Sequence, residues 1–244
     1  MKLLAKLLAD NRAAPMRRFE VKAEASSDAV DVFLYDAIVD DRATAEFWGG
    51  VAPETFVKAL AEIKAGTINL RINSPGGSVF GARAIEQALR EHPARVVAHV
   101  DGLAASAATF VAMAADEIVM NKGALFMVHK AWTIAFGNSD DLLATADLLD
   151  KIDGTLVQTY ADRTGQKADK VAEWMAAETW FTAQEAVDAG FADRIAETAP
   201  KAQTAAWNLT AYGRAPQMAP AAEHAASVDA AALLRRLDTS LLSA

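Results

Sequence analysis

Hydrophobic and polar positions divide the chain into short segments with distinct periods. Residues 19–22 and 30–35 read as two strands, separated by the polar turn Ser26-Ser27-Asp28. Over residues 53–64 the spacing becomes helical. Pro53 suits a first turn, and Phe56, Val57, Leu60 and Ile63 fall on one face. A strand is predicted at 67–72, a sharp turn at Gly76-Gly77, and a helix at 79–90 that buries Ala82, Ile85, Ala88 and Leu89. A strand at 96–100 leads into an Ala-rich helix at 105–115, and strands follow at 117–120 and 125–128. A long helix is expected over 139–163, with Ser139 as its cap and Asp140 and Asp141 in its positively polarised first turn. Helices at 168–177 and 183–189 and a strand at 191–195 complete the pattern. The strand–helix alternation over residues 30–130 predicts an α/β architecture with right-handed crossovers.

The two ends differ from this body. Residues 1–17 have weak periodicity and read as an arm or short helix, which leaves 18–198 as the domain. After Thr198, Ala, Pro and Gln dominate to about residue 226, and the whole of 199–244 reads as a flexible tail. Helical spacing returns near its end through Val228, Ala231, Leu234 and Leu237, either as a small helix that docks on a partner or as a weakly ordered terminus.

Composition narrows the possible chemistry. The 244 residues are 52% hydrophobic and 23% charged, as suits one domain with a sizeable core. A net charge of -8 argues against a nucleic-acid partner. Without cysteine the chain has no disulfide, thiolate metal site or Cys nucleophile. No uncharged run of 18 apolar residues occurs, so no membrane span is expected. Lys6, Asp10 and Arg12 interrupt any signal-peptide core, which makes a cytoplasmic location the expectation. No phosphate-binding loop is present, and neither a metal nor a cofactor is called for.

Three segments carry candidate chemistry. Asn73-Ser74-Pro75-Gly76-Gly77-Ser78 follows a buried strand, and its paired glycines let backbone N–H groups converge where an oxyanion could develop. It reads equally well as a tight strand-to-helix turn. Asp101-Gly102-Leu103-Ala104-Ala105-Ser106-Ala107-Ala108 also joins a strand to a helix, so Ser106 is either an N-cap or a nucleophile. Leu125-Phe126-Met127-Val128-His129-Lys130 ends an apolar strand in a histidine, at the strand end where α/β proteins place ligands. The other three histidines fit less well. His92 sits in a polar turn, His224 in the tail and His99 within a strand, buried or facing a neighbouring subunit.

In this order, the three segments resemble the ClpP family of serine peptidases, and within it the head maturation (prohead) proteases of phages and prophages. The Ser-Pro-Gly-Gly turn is at Ser74 to Gly77, Gly-x-Ala-Ala-Ser at Gly102 to Ser106, and the histidine after an apolar strand at His129. Downstream, Trp180-Phe181-Thr182-Ala183-Gln184-Glu185-Ala186-Val187 and Gly190-Phe191-Ala192-Asp193 resemble the family's closing helix and strand. The resemblance implies a ClpP/crotonase-like repeated β-β-α fold with a protruding handle helix, which the helix at 139–163 would supply. It implies Ser106 as nucleophile, His129 as general base, and the backbone N–H groups of Gly77 and Ala107 as oxyanion hole. The family's third member is an Asp; the matching position is Glu178, one methylene longer, and that departure puts the third role in doubt. The Leu142, Leu143, Ala146, Leu149 and Ile152 face either interlocks stacked homo-oligomeric rings, such as heptamers, or covers the domain's own sheet. The connection at 133–138 would line the substrate groove. The substrate implied is protein, in a phage setting a capsid or scaffold protein, cut without an ATPase partner. Competing readings are an ATPase-partnered Clp subunit, an inactive ring scaffold, a crotonase-type acyl-CoA enzyme, and a Ser-Lys peptidase using Lys130.

Overall fold

The computed structural model describes residues 3–12, 17–23, 28–197 and 207–216. The elements run α1 (Leu3–Asp10), β1 (Arg18–Ala23), β2 (Ala29–Tyr35), α2 (Arg42–Trp48), α3 (Pro53–Ala61), β3 (Thr67–Ser74), α4 (Val79–Glu91) and β4 (Arg95–Ala105). Then follow α5 (Ala107–Met113), β5 (Glu117–Met120), β6 (Leu125–Val128), α6 (Ser139–Thr164), α7 (Ala168–Ala176), β7 (Thr179–Thr182), α8 (Ala183–Ala189) and β8 (Arg194–Ile195). The α/β class agrees with the sequence pattern.

One sheet runs β1-β2-β3-β4-β5-β8, with β6 and β7 branching from β4. Strands β2 to β5 are parallel, and β1 closes one edge antiparallel to β2. The helical face carries the main core. Phe56 and Leu60 of α3, Ile85 and Leu89 of α4 and all of α5 pack with Ile68, Leu70, Ile72, Ala98 and Val100 of the central strands. The close approach of α5 follows from its sequence, since four of its first six residues are Ala or Thr and bring little bulk between helix and sheet.

The branch in β4 positions the site. Val97 to Val100 pair with β5, whereas Leu103 to Ala105 pair with β6. The strand thus changes partner midway, and Ser106 lies just past its end. β6 and β7 are antiparallel, with Val128 opposite Thr179, so residues 129 and 178 flank the same end of the pair.

The long helix α6 divides into two parts. Leu156 and Tyr160 are buried, and Tyr160 joins Phe110, Phe191, Trp174 and Phe181 in an aromatic stack that fixes the C-terminal half. Leu142, Leu143 and Leu148 of the N-terminal half are exposed. That half therefore does not cover the domain's own sheet. Residues 133–138 lead into it, with Ile134 and Phe136 exposed. Among the described residues, no helix is long and apolar enough to cross a membrane.

Two short elements, α2 and β7, are absent from the sequence reading. Asp41 caps α2, its carboxylate accepting from Thr44 N at 2.7 Å, but no residue of α2 is buried and so no apolar face marks it. At the C-terminal end, residues 207–216 depart from the flexible tail read from composition. Trp207, Leu209, Ala211 and Tyr212 are buried against Leu103, Ala105 and Met127 on the side of the sheet away from α5, with Leu7 of α1 beside them. Asn11 accepts from Asn208 N at 2.7 Å and donates to Asn208 O at 2.9 Å, tying the residues just after α1 to the 207–216 segment. The helix expected over 228–242 lies outside the described residues.

Candidate active site

Ser106 takes φ 53° and ψ -126°, and it is one of two described non-glycine residues with positive φ. A left-handed conformation is costly for a side chain with a Cβ, by about 1–3 kcal/mol, and persists only where the surroundings impose it. Here Ser106 N donates to Met127 O at 2.8 Å, and Ser106 O accepts from Thr109 N at 2.9 Å. Thr109 in turn contacts the buried Tyr160 hydroxyl. Ser106 occupies the N-cap position of α5, yet its side chain caps nothing. The hydroxyl instead lies 2.7 Å from Nε2 of His129. The N-cap reading of Ser106 therefore gives way to one in which its hydroxyl is presented to a base.

His129 follows β6, and its imidazole is half-buried. Burial pushes its pKa down to about 4, against an upward pull from the Glu178 charge. The ring is therefore neutral near pH 7 and able to accept a proton. Tyr212 meets it edge-on at 5.5 Å between centroids.

The glycine turn packs directly on the serine. A Cβ on Gly76 would lie 2.4 Å from Ala105 O and 2.8 Å from Ser106 Cβ. One on Gly77 would lie 2.0 Å from Ile38 O, because Ile38 N donates to Gly76 O and Ser78 N to Ile38 O, both at 2.8 Å. Among the described residues, no protein acceptor takes the N–H of Gly77 or of Ala107. Ser74 braces the turn, its hydroxyl donating to Asp36 O at 2.6 Å and accepting from Gly76 N at 3.1 Å.

Glu178 is brought to the His129 end of the site by the β6–β7 pairing, but no hydrogen bond joins the two. Its carboxylate accepts from Arg214 N at 2.6 Å, Gly213 N at 3.0 Å and Trp180 Nε1 at 3.2 Å. Glu178 therefore acts on His129 through its charge and not through a hydrogen bond in this arrangement. Lys130 is exposed and pairs with Asp153 at 3.5 Å. His99 sits half-buried in β4, its pKa lowered by burial and by the nearby Arg71.

Tyr212 is a site residue that sequence reasoning missed. Its hydroxyl donates to Pro75 O of the glycine turn, and its ring meets His129 edge-on. Burial raises its pKa well above the usual phenol value. The available signal was the cluster Trp207, Leu209 and Tyr212 within an otherwise Ala- and Pro-rich stretch.

The chain resembles known proteins over most of this region. The Clp protease family matches residues 27–199. An ATP-dependent Clp protease proteolytic subunit of Streptococcus agalactiae is 34% identical over 134 residues, covering 53% of this chain and 68% of the relative. A second subunit of that name, proteolytic subunit 2 of Corynebacterium glutamicum, is 31% identical over 142 residues, covering 55% and 68%. Among solved structures, a point mutant of ClpP1 from Listeria monocytogenes superposes with a TM-score of 0.59 at 21% identity, covering 69% of this chain and 91% of that one. The fold is thus ClpP-like, and the chain belongs to the Clp protease family of serine-type peptidases.

Proposed function

We propose that Ser106 is the nucleophile of a peptide-hydrolysing site and His129 its general base. The observation that carries this reading is the 2.7 Å contact between the Ser106 hydroxyl and Nε2 of a neutral imidazole, at a serine held in a strained turn. Nε2 takes the hydroxyl proton as Oγ attacks the scissile carbonyl carbon. The carbonyl oxygen, now negative, is received by the N–H groups of Gly77 and Ala107. His129 then protonates the leaving amine, and water repeats the sequence to release the acyl group. The Ser-Lys alternative has less support, because the Lys130 ammonium is engaged by Asp153. A fluorophosphonate tests the assignment: it should label the wild type, and Ser106→Ala should abolish labelling. Equal labelling of the two proteins would refute the role of Ser106.

The pH dependence follows from His129. Its conjugate acid must lose a proton for catalysis, and its resting value is near 4 rather than 6.5. Glu178 and Tyr212 face the ring, and the Glu178 charge pulls the value upward against the larger effect of burial. The acid limb of kcat/KM should therefore fall well below pH 6, read from initial rates on a short peptide. Linkage has the same sign. The folded protein binds the His129 proton less readily than the unfolded chain. The stability this contributes is complete above about pH 6.5 and is lost as pH falls toward 4.

The finer setting is also proposed. Protein substrates, specifically capsid or scaffold proteins cut during phage head maturation without an ATPase, fit the sequence resemblance to the prohead branch. Assembly into rings through α6 is supported by its exposed leucines. Light scattering at micromolar concentration should show an oligomer, and Leu142→Glu with Leu143→Glu should lower its mass. A 25.9 kDa monomer would refute ring assembly.

A further inference from the structure

We propose that residues 207–216 form an intramolecular strap that holds the catalytic site closed and must lift for a substrate to enter. The inference rests on the assignment of Ser106 and His129 above. Three features of the strap point the same way.

First, the strap is docked along its length by specific contacts. Trp207 Nε1 donates to Asn73 Oδ1 at 3.1 Å, immediately before the glycine turn. Leu209 and Ala211 are buried on the shelf made by Leu103, Ala105 and Met127. The Arg214 guanidinium donates to Ala177 O at 2.7 Å.

Second, the strap places a side chain at the reacting atoms. The Tyr212 hydroxyl donates to the Pro75 carbonyl of the turn that packs on Ser106, and its ring lies edge-on to His129 and to Trp180. A scissile carbonyl must approach Ser106 Oγ from a side it shares with the glycine turn and His129, and Tyr212 touches both the turn and the imidazole. The buried phenol also keeps water from the imidazole.

Third, the strap engages the carboxylate nearest the base. Gly213 N and Arg214 N both donate to Glu178, so this carboxylate serves as the strap's latch while the strap is docked. When the strap lifts, those two donors leave. Glu178 is then free to swing toward His129, which already feels its charge. Release of the strap thus opens the groove and frees the acid that stands where the family places its third residue. The strap is also joined to α1 through Asn11 and Asn208, and the Lys6 ammonium reaches the Thr210 hydroxyl at 2.8 Å. The N-terminal helix is therefore in a position to sense or set the strap's docking.

The test uses the full chain and measures the rate of fluorophosphonate labelling and of short-peptide hydrolysis in Tyr212→Phe and Tyr212→Ala, with Ser106→Ala as the blank. Tyr212→Phe keeps the packed ring and removes the hydroxyl contact, so it remains informative if the Ala variant does not fold. Loss of the one hydroxyl hydrogen bond shifts a closed-to-open ratio by roughly several-fold, and loss of the packed ring by more, so rates should rise several-fold for Phe and at least about tenfold for Ala. In Tyr212→Ala the acid limb of kcat/KM should also move up toward the ordinary histidine value as the ring is rehydrated. A rate that stays level or falls in Tyr212→Phe, or an acid limb that does not move in Tyr212→Ala, overturns the strap. If no variant labels above the Ser106→Ala blank, the nucleophile assignment itself fails, and the strap has no catalytic site to close.

Discussion

Ser106→Ala should give a folded protein whose peptide hydrolysis is slower by on the order of 10⁴-fold or more, and His129→Ala should do the same. The fold should survive because the backbone of residue 106 holds the local structure, not its hydroxyl. Ser106 N donates to Met127 O and Ser106 O accepts from Thr109, and both bonds remain in the alanine variant. His129 also stands at the end of β6 rather than within its ladder, so its loss breaks no strand pairing. The two residues act as one proton-transfer unit. The double variant should therefore be about as slow as either single variant, not slower by the product of the two effects. Steady-state kcat/KM, with thermal unfolding as the check on folding, decides this. Substantial activity in purified Ser106→Ala would remove Ser106 from the mechanism.

Gly77→Ala should be damaging in a different way. A Cβ at this position would lie 2.0 Å from Ile38 O, a separation no packed structure tolerates, and the residue sits at φ 142°. Either the Ile38 bridge to the turn must break or the turn must swing outward. Overpacking of this kind costs about 1–3 kcal/mol, so the melting temperature should drop. Activity should fall further than stability alone would explain. The Gly77 N–H is one of two donors assigned to the oxyanion; alanine keeps it but shifts it with the turn, and putting one such donor out of reach costs up to about 10²–10³ in kcat. Gly123→Ala is the matched control. No atom lies within 4 Å of a Cβ there, so both stability and kcat/KM should stay at wild-type levels. If Gly77→Ala kept wild-type turnover and stability, the turn would have absorbed the Cβ without moving the N–H, against the clash with Ile38 O.

The sequence by itself determined the order of the elements other than α2 and β7, and it pointed to Ser106 and His129, which the fold brings to 2.7 Å of each other. Residues 117–120 and 125–128 were readable to the residue because their apolar runs end at polar positions, and 183–189 because Thr182 and Gly190 mark its two ends. The pairing of Ser106 with His129 was legible through the motifs around them, each of which ends a strand. Other features depended on how distant segments pack. The elbow at Ser106 is strained, and local preference alone favours an ordinary N-cap; the clamp from Met127 and Thr109 decides otherwise. The exposure of the first half of α6 was also undecided, since its leucine spacing suits its own sheet as well as a partner. Glu178 could be matched by position, but its hydrogen bonds go to residues 213 and 214, more than thirty positions downstream. The strap was hidden for a related reason. Trp207, Leu209 and Tyr212 show neither helical nor strand periodicity, because they are buried one by one on a shelf made by β4 and β6. Periodicity reveals a segment that presents a regular face to the core. An irregular segment is ordered only by the surface it meets, and that surface exists only once the sheet has formed.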